Sequence, residues 1–117
     1  MKKEKVSPAP RGGLDAAQTQ AVAELFTLLS EPSRLRILQV LEKGPASVGE
    51  LTRRTGLKQA NVSKQLGLLQ TGGMVGRRQE GNRAIYSIAL PVVFEICELV
   101  CRDMARQAAG RAAALRR

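Results

Sequence analysis

Cys97 and Cys101 are the only two cysteines of this 117-residue chain, and they stand four positions apart in the stretch FEICELVC, residues 94–101. On a helix, residues i and i+4 share one face, with Cβ atoms about 5–6 Å apart. Two thiolates so placed could chelate one soft metal or metalloid ion, such as Cu(I) or As(III), or be modified as a persulfide or by oxidation. A direct disulfide would strain the helix, because its Cβ atoms must approach to about 4 Å. A three-coordinate ion would need a further donor from a partner chain or an exogenous thiol. Packing competes with sensing at both positions, since cysteine also behaves as a small, readily buried hydrophobe. It is favoured by the apolar neighbours Val93, Val100 and Met104, which raise a thiol's pKa and dull its reactivity. Glu95, Glu98 and Asp103 on the same stretch suit a solvated face better than a ligand set.

The chain contains no histidine, which removes the commonest transition-metal ligand, the usual general base and any imidazole triad. No enzyme is expected. Charge points elsewhere: 19 Lys and Arg against 10 Asp and Glu give a net +9, a balance suited to nucleic acid or a membrane surface. Only three aromatic residues, Phe26, Tyr86 and Phe94, leave little stacking surface for single strands. No apolar run approaches the ~20 residues of a membrane span. The basic start, MKKEKVSPAPRGG, lacks the apolar segment of a signal peptide, so a cytoplasmic protein with reduced thiols is expected.

The elements that must position these groups follow from periodicity. Residues 1–13 read as a disordered basic arm of net +3, and 14–117 as one domain whose modest core would gain from a partner subunit. Apolar residues at 21, 22, 25, 26, 28 and 29 have helical spacing, predicting a first helix over 14–30 with Asp15 near its start. SEPSRLRILQVLEKG predicts a second, with Ser30 as N-cap, Pro32 in the first turn and Gly44 as the stop. Two short helices follow over about 47–71, divided by Gly56, with Ser47 and Glu50 at capping-box spacing. In the second of them Val62, Leu66 and Leu69 form an apolar stripe, while Gln59, Asn61, Ser63, Lys64 and Gln65 largely face outward. The period then changes to alternation in MVGRRQEGNRAIYSIAL, a hairpin over about 75–89 with Gly81 at its tip. A last helix over about 91–113 carries both cysteines. The fold class is mainly α with a small β-hairpin (α+β), in the order α-α-α-α-β-β-α.

Two short helices around a glycine turn, the second polar on its outer face, form a helix-turn-helix, whose second helix fits the DNA major groove. A basic hairpin directly after it makes the winged version. The candidate DNA contacts are Lys58, Gln59, Asn61, Ser63, Lys64 and Gln65 on the helix and Arg77, Arg78 and Arg83 on the wing. The amides can pair with adenine edges, and Lys64 can reach guanine or phosphate. The wing arginines suit neighbouring phosphates or the minor groove. Residues 31–90 carry ten basic and four acidic side chains, a net +6, whereas residues 14–30 carry −2. An interaction module whose basic faces meet an acidic protein is the alternative from another class.

The blocks LFTLLSEPSRLRILQVLEKG, VGELTRRTGLKQANVSKQLGLLQTGGMV and RRQEGNRAIYSI together resemble the ArsR/SmtB family of bacterial transcriptional repressors, over about residues 21–104. The resemblance implies a homodimer paired through its first and last helices. It further implies repression at a palindromic operator of double-stranded DNA until an effector loosens the grip. An effector-independent repressor or nucleoid-type DNA-binding protein is the alternative, and the sensing sites familiar in that family are missing. Where metal-sensing members carry Cys-x-Cys, PASVGEL places Ser47 and Gly49. The Asp and His pairs of the last helix cannot form without histidine, and the second helix lacks the cysteine that thiol-sensing members pair with one in the last.

Overall fold

A computed structural model describes residues 13–115. The expected disordered arm therefore lies, but for Gly13, outside the described residues. Helix α1 (Ala16–Leu29) starts at a reciprocal cap in which the Gln18 N–H donates to the Asp15 carboxylate and the Asp15 N–H to the Gln18 amide oxygen. It ends where the N–H and hydroxyl of Ser30 both donate to the Thr27 carbonyl. Ser30 thus closes α1 and does not open the second helix as expected. Glu31 caps α2 (Pro32–Glu42) instead, its carboxylate accepting from the Ser33 N–H at 2.6 Å, with Pro32 at the first helical position.

The order differs from expectation by one element. Residues Ala46–Ser47 form a short strand, β1, before α3 (Val48–Thr55) and α4 (Gln59–Thr71). The wing strands β2 (Val75–Glu80) and β3 (Arg83–Ile88) follow, and α5 (Pro91–Leu115) closes the chain. The sheet is antiparallel with order β1-β3-β2, so the expected hairpin is three-stranded. Ala46 stands opposite Tyr86 and Ser47 opposite Ile85. Two residues are too few to show a period, and only pairing with β3 makes them a strand.

One core holds the domain together. Ile37, Leu38 and Leu41 of α2 meet Leu51 of α3, Val62, Leu66 and Leu69 of α4, Met74 and Val75 entering the wing, and Val93 and Cys97 of α5. The long terminal helices contribute little to it: α1 buries only Leu29, and α5 only Val93 and Cys97. Among the described residues, eight of the ten exposed large hydrophobics stand on those two helices, including Phe26, Leu99, Val100 and Met104. Among the described residues no helix is long and apolar enough to cross a membrane.

Candidate nucleic-acid interface

Local chemistry fixes the helix-turn-helix. The Glu50 N–H donates to the Ser47 hydroxyl and the Ser47 N–H to the Glu50 carboxylate, completing the box that starts α3. Gly56, with φ at 76°, ends α3 in the left-handed conformation that costs a residue with Cβ about 1–2 kcal/mol. Helix α4 then begins at Lys58, which makes no side-chain cap bond among the described residues, and its first turn contains no acidic side chain. An uncapped N-terminus of this kind offers N–H groups and a positive dipole end to an anion.

Burial divides α4 into two faces. Val62, Leu66 and Leu69 are buried against α2 and α3, whereas Lys58, Gln59, Ser63 and Lys64 are exposed on the outer side. Gln65 departs from the sequence expectation: it is only 6% exposed, and its amide oxygen accepts from Arg34 at 3.0 Å while its amide NH₂ donates to Asn61 at 2.9 Å. Asn61 is half-buried and donates to the Ser33 hydroxyl at 3.2 Å. Both amides turn toward α2, where they meet the half-buried Arg34 and Ser33, and the buried Gln65 amide would otherwise go unpaired.

The wing carries three exposed arginines, each with a protein partner. Arg77 donates to Gln79 at 3.2 Å, Arg78 pairs with Glu80 at 2.6 Å, and Arg83 reaches Glu50 on α3 at 3.0 Å. The last of these contacts ties the wing to the helix-turn-helix. Glu50 has its carboxyl held below the usual value by the Ser47 backbone and hydroxyl, against opposing burial, and then by Arg83 and Arg53. Gly81 turns the hairpin at φ 59°.

The two thiols lie away from this face. Cys97 is 6% exposed and Cys101 is exposed, yet both line one groove of about 470 Å³ between α1, α2 and α5, together with Phe26, Leu35, Ile96, Val100 and Met104. The Gln39 amide lies 3.7 Å from the Cys101 sulfur and donates to it. Burial, the Glu42 charge and Cys101 together push the Cys97 thiol up from its ordinary value. No group of three or more potential metal ligands occurs among the described residues.

A polar-faced helix set beside a basic, sheet-built wing defines a winged helix-turn-helix protein of the kind that binds duplex DNA. A helix-turn-helix domain model matches residues 29–77. The uncharacterized HTH-type transcriptional regulator Rv0081 of Mycobacterium tuberculosis is 43% identical over 94 residues, covering 80% of this chain and 82% of the relative. Its crystal structure superposes with a TM-score of 0.71, at 38% identity, over 84% of this chain and 99% of the other. The homodimeric winged helix-turn-helix domain of Mb0332 from Mycobacterium bovis, described as a possible ArsR-family regulator, gives a TM-score of 0.72 at 32% identity, over 85% and 94%. A probable mercury resistance operon repressor of Streptomyces lividans is 32% identical over 98 residues, 80% of this chain and 78% of the relative. The chain belongs to the ArsR/SmtB family and is a DNA-binding transcriptional regulator.

Sequence reasoning missed two groups at this site. Arg34 and Ser33 sit inside the EPSRLRIL block, where a charged residue in the middle of an apolar helix was the available signal.

Proposed function

We infer that two copies of the chain pair through α1 and α5 and repress transcription by holding a palindromic operator, one α4 in each of two successive major grooves about 34 Å apart. The observation that carries this is the exposed Lys58, Gln59, Ser63 and Lys64 face of α4, set beside the basic wing with its opposite stripe buried. Gln59, Ser63 and Lys64 read base edges or adjacent phosphates, while Lys58, Arg77, Arg78 and Arg83 neutralise phosphates. The ion pairs of Arg78 and Arg83 are exposed, so exchanging a carboxylate for a phosphate costs little. Pairing is supported by the apolar faces of α1 and α5 and by the homodimeric Mb0332 domain.

A mobility-shift titration on the intergenic DNA upstream of the gene tests the function. A shift at modest salt and micromolar protein is expected, and its absence would sink the repressor reading and favour a protein-interaction module. Lys64→Ala should relax operator preference, whereas Arg77→Ala should lower affinity for all sequences and reduce the salt slope by about one.

Release by a thiol-directed effector is the second part of the proposal, supported by the shared groove of Cys97 and Cys101. Its classes are a soft metal or metalloid ion, or persulfide and oxidation chemistry. Burial of Cys97 and its raised thiol favour the alternative, a repressor without a thiol effector. Reduced protein on its operator, titrated with As(III), Cu(I), persulfide and peroxide, separates the two. Release by one reagent that alanine at both cysteines abolishes supports sensing, and indifference to all four supports the alternative.

A further inference from the structure

Arg34 joins three helices. Its Nε donates to the Leu28 carbonyl at 2.7 Å and its Nη2 to the Thr27 carbonyl at 3.4 Å, both in the last turn of α1. That turn contains no basic residue of its own, so the guanidinium supplies from α2 the cation that a helix C-terminus favours. The same guanidinium donates through Nη1 to the buried Gln65 amide oxygen on α4. Gln65 passes its own donor to Asn61, and Asn61 donates to Ser33, the residue before Arg34, so the chain of bonds closes on α2. Two of its links, Arg34 to Gln65 and Asn61 to Ser33, cross between α2 and α4, so a slide of α4 past α2 would break both, and a guanidinium fork of fixed geometry follows such a slide poorly.

We propose that Arg34, Gln65 and Asn61 form a positioning relay that fixes the angle of α4 to the C-terminal end of α1. The relay rests on α4 being the DNA-reading helix and adds a route by which α1 controls it. Helix α1 leaves Val22 and Phe26 exposed, and Phe26 lines the groove of the two thiols. Displacement of α1 by pairing or by an occupant of that groove moves the Thr27 and Leu28 carbonyls, and Arg34 must then either follow them or keep Gln65. Following them takes the partner from Gln65 and alters the placement of Lys64 and its neighbours, which extend from the other side of the same helix, whereas keeping Gln65 holds α4 and gives up the tie to α1.

The test uses two variants that keep the charge of the chain, Arg34→Lys and Gln65→Leu, and compares operator binding with binding to random duplex at equal salt. Each should lower operator affinity at least tenfold while random-duplex affinity and salt slope stay within about twofold of the parent, since no phosphate contact is removed. The double variant should lose no more than the worse single one, because both break the same chain of bonds. Amide exchange in the free protein, read without DNA, should quicken in residues 27–29 and 59–65 together in Arg34→Lys. Operator preference unchanged in Arg34→Lys, or losses that add in the double variant as for two independent base contacts, would overturn the relay. So would preference that falls only in proportion to folded protein, as followed by thermal unfolding. Failure of the parent chain itself to prefer its operator would overturn the DNA reading of α4 instead, leaving the exchange result to decide the relay.

Discussion

The Cys97 thiol is raised above its ordinary value of 9.0 by burial first, then by the Glu42 charge and by Cys101, so little of it is thiolate near neutral pH. In a Cys101→Ser background its alkylation by iodoacetamide should still be accelerating beyond about pH 10. A rate half-maximal at the ordinary value of 9.0 and level by about pH 10 would show an ordinary thiol. The opposite sign holds at Glu50, whose folded value lies below the ordinary 4.5. A depressed carboxyl stabilises the folded state above the unfolded value, and that stabilisation is lost as pH falls through the folded value. Glu50→Gln keeps the acceptor for the Ser47 N–H but not the charge. Its urea midpoint should therefore lie below the parent's at pH 7 and converge with it as pH falls through the lowered folded value; a gap independent of pH would mean that the charge contributes nothing.

Among the elements, α3 and α4 were the most legible, because what sets their ends is local. Ser47 and Glu50 are three residues apart, and Gly56 needs only its own backbone freedom. Gly56→Ala should lower stability by about 1–2 kcal/mol, since alanine meets no neighbour there but must adopt φ 76°. Chemical denaturation measures this, and an unchanged midpoint would contradict the left-handed turn. Leu66, buried beneath α4, is a different case, where truncation to alanine should cost about 2–5 kcal/mol through the cavity left in the core. The faces of α4 were only partly legible. Helical spacing located Val62, Leu66 and Leu69, but a glutamine at position 65 reads as outward until its partner Arg34, 31 residues earlier, is in place.

The molecule as a whole presents an imbalance between a well-filled centre and two long helices with apolar surface exposed. Val100 and Met104, both over half exposed on α5, stand where a second copy would cover them. Val100→Asp with Met104→Glu should convert a dimer into monomers in sedimentation experiments at micromolar concentration, because two charges per chain would be buried unpaired. Operator affinity should fall with it by far more than random-duplex affinity, since the fixed spacing of two α4 helices is lost. Monomers in the unsubstituted chain would refute pairing outright.

The sequence by itself determined the basic character of the chain, the succession of helices and wing, and the helix-turn-helix with its capping box and turn glycine. These depend on residues at most a few positions apart, through periodicity, backbone freedom and short-range hydrogen bonds. Tertiary structure alone decided that β1 pairs with β3, that Cys97 is buried while Cys101 is exposed beside Gln39, and that Gln65 and Asn61 face Arg34 and Ser33. The hydrogen bonds behind these last placements span 28, 31 and 62 residues. Which polar group finds a partner across such a distance depends on how the helices stack around the core, and no local pattern in the chain encodes it.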